Sequence, residues 1–250
     1  LVSPRLPADV RLRDLGAVRL RGLAGAEHVF QLLHPALRTE FPALRSLAAT
    51  PGNLPQQVTT FVGRTREIAE VRSLLGSARL LTLIGTGGLG KTRLALQVAS
   101  LVQDGFADGV WLVELAALAD GDHVPQAVAS VLGVTEEAGQ PVRETLLRFV
   151  HDRSLLLILD NCEHLIDACA DLAVRLLQAG PGTRVLATSR EGLRVRGETT
   201  YPVPALSMPD ERAGASPEDL AGCEAVRLFV DRAVAAQPLF RLTAENASAV

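Results

Sequence analysis

A glycine-rich loop between an apolar run and a helical run constrains the fold of this chain more than any other feature. Residues 85–92 read Gly-Thr-Gly-Gly-Leu-Gly-Lys-Thr and fit the pattern G-x-x-x-x-G-K-[ST]. Such a loop aims backbone N–H groups at phosphate oxygens, and the following helix adds the partial positive charge of its N-terminus. The sequence therefore predicts a P-loop, with Lys91 on the β- and γ-phosphates of a nucleotide and Thr92 on Mg²⁺.

The same glycines also allow a second interpretation. Gly85-x-Gly87-x-x-Gly90 matches the dinucleotide fingerprint, and Glu114 could then hold a ribose in an oxidoreductase. Lys91, however, is the only lysine among the 25 lysine and arginine residues. Because a planar guanidinium would fit the phosphate cradle poorly, a lysine retained at this position favours the P-loop.

Strands and helices alternate after the loop. Apolar strands are predicted at 80–84, 110–115, 155–159, 184–188 and 200–203, with helices at 92–102, 124–132, 142–151, 165–178 and 223–236. A further helix should follow Gly63, with Thr65 as its N-cap. Because the strands lack polar alternation, we expect an α/β P-loop NTPase fold whose parallel sheet is covered by helices on both faces.

A carboxylate ends the third predicted strand. Residues 155–160 read Leu-Leu-Leu-Ile-Leu-Asp, a Walker B pattern that predicts Asp160 and Thr92 as the Mg²⁺ residues. Asp160 could instead cap the segment near His164. The loop some 70 residues upstream favours the metal role.

Two further side chains are candidates for catalysis. Asn161, not an acid, follows Asp160, so Glu163 is either the residue that activates water or a first-turn acid that favours the helix dipole. Arg190 ends the fourth strand and either senses the γ-phosphate or lies on the surface. Cys162 and His164 could ligate zinc, but their spacing is not that of a zinc site.

Charge and composition narrow the function classes. The net charge of −3 and the scattered arginines of the first 48 residues argue against a dedicated nucleic-acid surface. Three cysteines without C-x-x-C spacing suggest a reducing compartment, and no apolar run reaches the length of a membrane span. We therefore expect a cytoplasmic chain that binds neither nucleic acid nor a membrane directly.

Four segments together resemble a known family. Residues 61–67 (Phe-Val-Gly-Arg-Thr-Arg-Glu), the P-loop, residues 155–165 and Thr188-Ser189-Arg190 fall in the order and spacing of NB-ARC ATPases of the STAND class. Over about residues 58–250 the similarity looks closest to the bacterial ATPases of LuxR-type and SARP-type transcriptional regulators.

That resemblance implies a nucleotide site and its residues. Catalysis would fall to Lys91, Asp160, Glu163 and Arg190, the last as the sensor arginine. Val62, Gly63 and Arg64 would line the adenine side, and the phosphates would contact Gly85, Thr86, Gly87, Gly88, Leu89, Gly90, Lys91, Thr92 and Arg93. The expected ligands are ATP or ADP and Mg²⁺.

Two departures from the family bear on activity. The Gly-Leu-Pro-Leu segment and the winged-helix region do not occur before residue 250, so we expect the ATPase domain, residues 61–250, to be truncated at its C-terminal end. Asn161 stands where many relatives carry an acid, which predicts slow hydrolysis of ATP to ADP and phosphate.

The beginning of the chain resembles a different family. Residues 13–16, 19–23 and 29–32 are similar to the C-terminal end of a class III adenylate/guanylate cyclase domain. We expect residues 1–48 to be a small α+β remnant of that domain, followed by a linker at 49–60. Because the metal-binding aspartates of that family lie upstream, this segment should not cyclise a nucleotide.

These patterns favour a nucleotide-dependent signalling switch in a multidomain bacterial regulator. A regulatory ATPase module of a nucleotidyl cyclase is the alternative. Expected partners are the nucleotide, a missing C-terminal lobe and output domain of the parent chain, and further copies of the chain in a nucleotide-dependent homo-oligomer.

Overall fold

The computed structural model describes residues 10–19, 26–34, 51–57, 59–135, 139–209, 217–243 and 245–247. The chain divides into two units, residues 1–51 and 52–250. Much of the predicted cyclase remnant (1–9, 20–25 and 35–48), residues 49, 50 and 58 of the predicted linker, and Ser216 before the last helices lie outside the described residues.

A two-stranded antiparallel hairpin is the described part of the first unit. Strand β1 (Arg11–Arg19) pairs with β2 (Ala26–Leu33), and the register shifts between Asp14 and Ala17. Strand β1 continues through this irregularity as a single strand.

The second unit contains the predicted alternation. Its strands are β3 (Leu80–Ile84), β4 (Val110–Glu114), β5 (Leu156–Asp160), β6 (Arg184–Ser189) and β7 (Glu198–Pro202). Its helices are α1 (Thr65–Ser77), α2 (Lys91–Val102), α3 (Val124–Leu132), α4 (Val142–Val150), α5 (Ile166–Ala179), α6 (Pro217–Gly222) and α7 (Glu224–Ala236). The strands form one parallel sheet in the order β4-β5-β6-β3-β7. This α/β fold is consistent with a P-loop NTPase, as the sequence predicts.

Strand β5 shows why its sequence has no polar alternation. Leu156 and Ile158 point into a core formed with α1 and α2, whereas Leu157 and Leu159 point into a second core formed with α3, α4 and α5. All four are fully buried. Because both faces of the sheet are covered, consecutive positions of this central strand are apolar instead of alternating with polar ones.

The start of α1 differs from the prediction. Thr65 is the first helical residue, and the N-cap position belongs to Arg64, which has a left-handed backbone (φ 58°) and forms no side-chain cap. The prediction of Thr65 as N-cap was therefore wrong. Tertiary contacts of Arg64, described below, fix this turn instead of a local capping bond.

An asparagine of the predicted linker lies on the edge of the sheet. The Asn53 side chain donates to Leu112 O (2.8 Å) and accepts from Leu112 N (2.6 Å), and Gly52 forms a bridge with Val110. These bonds cover backbone groups that edge strand β4 would otherwise leave unpaired.

Candidate functional site

The candidate site lies at the C-terminal edge of the sheet, where β3, β5 and β6 end. Strand β6 pairs with both β3 and β5, so it separates the strand that precedes the P-loop from the strand that ends in Asp160. The first turn of α2 nevertheless contacts the end of β5. Thr92, the second residue of α2, donates a hydrogen bond from its Oγ1 to Asp160 Oδ1 at 2.7 Å. The two residues predicted to hold a metal are thus brought together.

Three glycines give the loop a backbone conformation with positive φ angles. Gly85, Gly88 and Gly90 have φ values of 152°, 83° and 79°, which favour glycine. A Cβ on Gly85 would also lie 2.8 Å from the Leu89 side chain. The loop is tied to the neighbouring strand by a hydrogen bond from Gly85 N to Ser189 O (3.3 Å).

Lys91 is the charged group of the loop. Its ammonium donates to the carbonyl oxygens of Gly85 (2.9 Å) and Thr86 (3.0 Å), and the residue is only 9% exposed. Among the described residues no carboxylate pairs with it. The loop therefore holds a buried positive charge that is solvated by carbonyl dipoles but has no counter-ion.

Asp160 is the centre of a small hydrogen-bond network. Its Oδ1 accepts from Thr92 and also from the Thr188 hydroxyl at 2.6 Å, and Thr188 in turn accepts from Asn161 N at 3.0 Å. Asp160 and Thr188 are buried. The network joins the P-loop helix, the end of β5 and the end of β6 through one carboxylate oxygen.

The two catalytic candidates Glu163 and Arg190 contact each other. Arg190 Nε donates to Glu163 Oε1 at 3.3 Å, and the arginine side chain is 69% exposed. The Glu163 side chain is 18% exposed, and its second oxygen, Oε2, is buried without a hydrogen-bond partner in the part of the chain that the structure describes. Both residues were candidates for catalysis from the sequence, but their pairing was not predicted, because it depends on β5 and β6 being neighbours.

A cavity of about 510 Å³ opens beside the P-loop. Its walls come from four places: the segment before α1, the P-loop with the start of α2, the segment after β7, and α7. The lining residues that bear on function include Val62, Arg64, Leu89, Arg93, Leu206 and Arg232. Gly63 lies between two lining residues, but a Cβ on it would meet the Glu224 side chain.

Arg64 connects three walls of that cavity. One guanidinium nitrogen donates to Leu89 O (2.6 Å) of the P-loop and to Pro204 O (3.0 Å), and the backbone N–H donates to the Glu224 carboxylate (2.5 Å) at the start of α7. The other nitrogen, Nη1, is buried and has no hydrogen-bond partner among the described residues; Arg64 as a whole is 5% exposed. An unpaired buried donor that lines a cavity is what a polar ligand would satisfy.

Arg93 has a supporting position. Its guanidinium donates to Thr59 Oγ1 (2.7 Å) and to the carbonyl oxygens of Thr59 (3.1 Å) and Thr60 (3.2 Å). Arg93 therefore holds the residues before α1 against α2, and its contact with a ligand stays a prediction.

The sheet order weighs against the dinucleotide interpretation. In a Rossmann sheet the strand that carries the ribose-binding acid lies next to the strand before the glycine loop. Here Glu114 ends β4, and β5 and β6 separate β4 from β3. A ribose near the loop would therefore be out of reach of Glu114.

Zinc binding also lacks support. The described residues contain no cluster of three histidine, cysteine or acidic side chains that could hold a metal ion. A hydrogen bond with the Cys169 thiol, followed by burial, raises the pKa of the Cys162 thiol. Because zinc binds the thiolate, a thiol held in its protonated form is a poor ligand.

Sequence reasoning missed two groups of residues. Thr188 was noted only as part of a motif, although a hydroxyl at the end of a strand next to β5 is a signal that could have suggested contact with Asp160. The α7 wall of the cavity, with Ala225, Leu228 and Arg232, had no local signal, because only the tertiary fold brings it to the loop.

The chain is similar to several known proteins. Residues 73–194 match the family model of an AAA domain. Over 180 residues the chain is 44% identical to a Mycobacterium tuberculosis protein provisionally named an HTH-type transcriptional regulator; the match covers 72% of this chain and 19% of that protein. An uncharacterised protein of the same organism is 38% identical over 195 residues, with 78% of this chain and 46% of that protein covered.

Among solved structures, a STAND protein with a tetratricopeptide repeat sensor from Pyrococcus horikoshii is 18% identical, with a TM-score of 0.43. The match covers 67% of this chain and 26% of that one. The matched AAA residues do not include the predicted cyclase remnant, residues 1–48, which stays a prediction. The chain spans between about a fifth and a half of the length of the mycobacterial relatives, at 19% and 46%. No helix among the described residues combines the length and apolarity that crossing a bilayer requires.

Proposed function

We propose that this chain is the ATP- and ADP-binding switch of a multidomain bacterial regulator, and that it hydrolyses ATP slowly. The uncompensated charge of Lys91 is the observation that carries the proposal. Burying an ammonium without a counter-ion is costly unless an anion completes the site. The P-loop backbone, the N-terminus of α2 and Lys91 together suit the β- and γ-phosphates of a nucleoside triphosphate.

The cavity beside the loop suits the nucleoside. It is about 510 Å³, within the range of small-molecule sites, and it adjoins Gly88, Leu89 and Gly90 of the loop. The unpaired Nη1 of Arg64 offers a donor to a base or ribose oxygen or nitrogen. This arrangement supports the adenine-side role of Val62, Gly63 and Arg64 that the family resemblance implies.

Thr92 and Asp160 fit a Mg²⁺ ion. Both supply oxygen, which Mg²⁺ prefers, and Oδ2 of Asp160 accepts no hydrogen bond from the described residues. When bound, Mg²⁺ would neutralise charge on the phosphates. In the proposed site Arg190 interacts with the γ-phosphate, and Glu163, its present partner, orients the attacking water.

The contacts of α7 suggest how the nucleotide would act as a switch. Glu224 binds the backbone of Arg64, Ser207 binds the first N–H groups of α7, and Ala225, Leu228 and Arg232 line the cavity. A ligand that binds more tightly to one position of α7 than to another shifts the equilibrium toward the first position. The size of this shift is set by the difference between the two binding free energies. We expect ATP and ADP to favour different packings of α7 and of the C-terminal lobe that would follow it.

The relatives support a regulatory setting. A transcriptional output is part of the proposal because one relative is provisionally named an HTH-type transcriptional regulator. A cytoplasmic location, a nucleotide-dependent oligomer and the absence of direct nucleic-acid binding by this segment belong to the same proposal.

Calorimetric titration with ATP and ADP, followed by hydrogen exchange of residues 224–236, tests this function. We expect both nucleotides to bind in Mg²⁺ buffer and α7 to exchange at different rates in the two complexes. Absence of binding would refute the site. Binding with identical α7 exchange in both complexes would refute the switch while leaving the site intact.

The variant Glu224→Ala sharpens the test of coupling. It removes the contact with Arg64 N but leaves the P-loop unchanged. We expect it to bind nucleotide and to lose most of the difference in α7 exchange between ATP and ADP.

A further inference from the structure

Thr188 occupies the point where three elements of the site meet. It lies near the end of β6, is 1% exposed, and is not one of the residues that line the cavity beside the P-loop. Its hydroxyl bridges Asp160 Oδ1 (2.6 Å) and Asn161 N (3.0 Å). Thr188 lies outside both the P-loop and the Walker B pattern.

The direction of these hydrogen bonds is fixed by chemistry. Asn161 N–H can only donate, and an ionised Asp160 can only accept, so the single Thr188 proton must point at Asp160. Thr92 gives a second proton to the same oxygen. Oδ1 therefore has both of its lone pairs occupied, and the free lone pairs of the carboxylate are those of Oδ2.

We propose that Thr188 is a positioning residue that orients the Asp160 carboxylate for Mg²⁺. With Oδ1 held by two hydroxyls, the carboxylate cannot rotate without breaking a bond, and Oδ2 stays available to the ion or its water. This inference rests on the proposed nucleotide site. According to it, the Mg²⁺-dependent part of nucleotide binding depends on Thr188, a residue of β6 that lies two positions before Arg190.

A purely structural role would give a different result. A buried hydroxyl that only stabilised the fold would change the melting temperature and would weaken ATP binding equally with and without Mg²⁺. A positioning residue acts through the carboxylate, so its loss should appear only when the metal is present. Groups that orient metal-binding residues typically change metal affinity by about 10- to 100-fold.

Three variants separate these roles. Thr188→Val removes the hydroxyl at nearly constant shape, and Thr188→Ser keeps the hydroxyl. Thr82→Val is the matched control, because Thr82 is a fully buried threonine of the same sheet whose hydroxyl has no hydrogen-bond partner within the described ranges. For each, the ATP dissociation constant is measured by calorimetry in excess Mg²⁺ and in EDTA. The dissociation constant in EDTA divided by the constant in Mg²⁺ is the Mg²⁺-dependent gain in affinity.

We expect Thr188→Val to lower this gain by about tenfold while its affinity in EDTA matches that of the wild type. Thr188→Ser and Thr82→Val should keep the full gain. A folded Thr188→Val with an unchanged gain would overturn the proposal.

Further outcomes are also decisive. If Thr188→Val fails to fold, Thr188→Ala takes its place: a folded alanine variant with a lowered gain supports the role of the hydroxyl, and one with the full gain contradicts it. A wild-type chain that binds no ATP in either buffer would refute the proposed function itself, together with this inference. If the wild type binds ATP more tightly in Mg²⁺ than in EDTA, and Thr188→Val shows the same gain, only the inference about Thr188 is refuted.

Discussion

Replacing Arg190 with alanine separates a γ-phosphate sensor from a surface arginine. In the structure Arg190 is 69% exposed and its contact is one ion pair of 3.3 Å with Glu163. An exposed pair of this kind contributes about 0–1 kcal/mol to stability, so the melting temperature should fall by no more than about 2–4 °C. A charge-assisted hydrogen bond to the γ-phosphate contributes about 1.5–3 kcal/mol. Arg190→Ala should therefore weaken ATP binding by roughly ten- to a hundredfold and leave ADP binding nearly unchanged.

The partner of Arg190 adds a complication that a second variant resolves. Removing the arginine uncovers the Glu163 carboxylate, whose charge would repel a phosphate nearby. The double variant Arg190→Ala/Glu163→Gln removes both charges. If the loss of ATP affinity persists in the double variant, the arginine itself binds the phosphate; if it disappears, repulsion by Glu163 was the cause and the sensor role is refuted.

Arg194→Ala is the matched control for this experiment. Arg194 follows the same strand, is 74% exposed and pairs with the nearby Glu191. Competition binding with ATP and ADP should show no change for this variant. Equal losses for Arg190→Ala and Arg194→Ala, or equal losses for ATP and ADP, would contradict a specific sensor.

Three other predictions concern hydrolysis, backbone conformation and the first 48 residues. Glu163→Gln should lower the rate of phosphate release while sparing ATP binding, and wild-type turnover should stay well below the roughly 1–100 s⁻¹ of kinases; release at tens per second would contradict this. Gly63→Ala should lower the melting temperature, because Gly63 has φ 72° and a Cβ would lie 2.5–2.9 Å from atoms of the Glu224 side chain. As its control, Gly76→Ala should raise the free energy of unfolding by up to about 1 kcal/mol, since Gly76 is helical and has open space around it. The purified chain should make no cyclic AMP or cyclic GMP, since residues 1–48 resemble only the tail of a cyclase; detection of either product by mass spectrometry would overturn that boundary.

Strands β3, β5 and β6 could be predicted from the sequence because each is a short, mainly apolar run buried on both sides. Predicted and observed bounds agree for Leu80–Ile84 and differ by one residue at each end of Leu156–Asp160. The P-loop and Asp160 could be found because their chemistry needs fixed residue types at fixed spacing. These features depend on local sequence alone.

Features that depend on distant residues could not be predicted. The left-handed Arg64 that precedes α1 is held by Glu224, 160 residues away in sequence. The pairing of Glu163 with Arg190, and the contact of Thr188 with Asp160, follow from β5 and β6 being neighbours. Sequence patterns showed that a parallel sheet forms but not the order of its strands.

Calorimetric titration of ATP into the wild-type chain and into Lys91→Ala tests the central claim most directly. Lys91 is the only lysine, and its buried ammonium has only carbonyl partners among the described residues. Arg66→Ala serves as a control that removes an exposed positive charge, paired with Glu70, outside the loop. We predict that the wild type and Arg66→Ala bind Mg-ATP with similar affinity and that Lys91→Ala binds it at least tenfold more weakly, as the loss of a charge-assisted bond to phosphate of about 1.5–3 kcal/mol requires. Equal affinities of the wild type and Lys91→Ala would contradict the assignment of this loop as the nucleotide site.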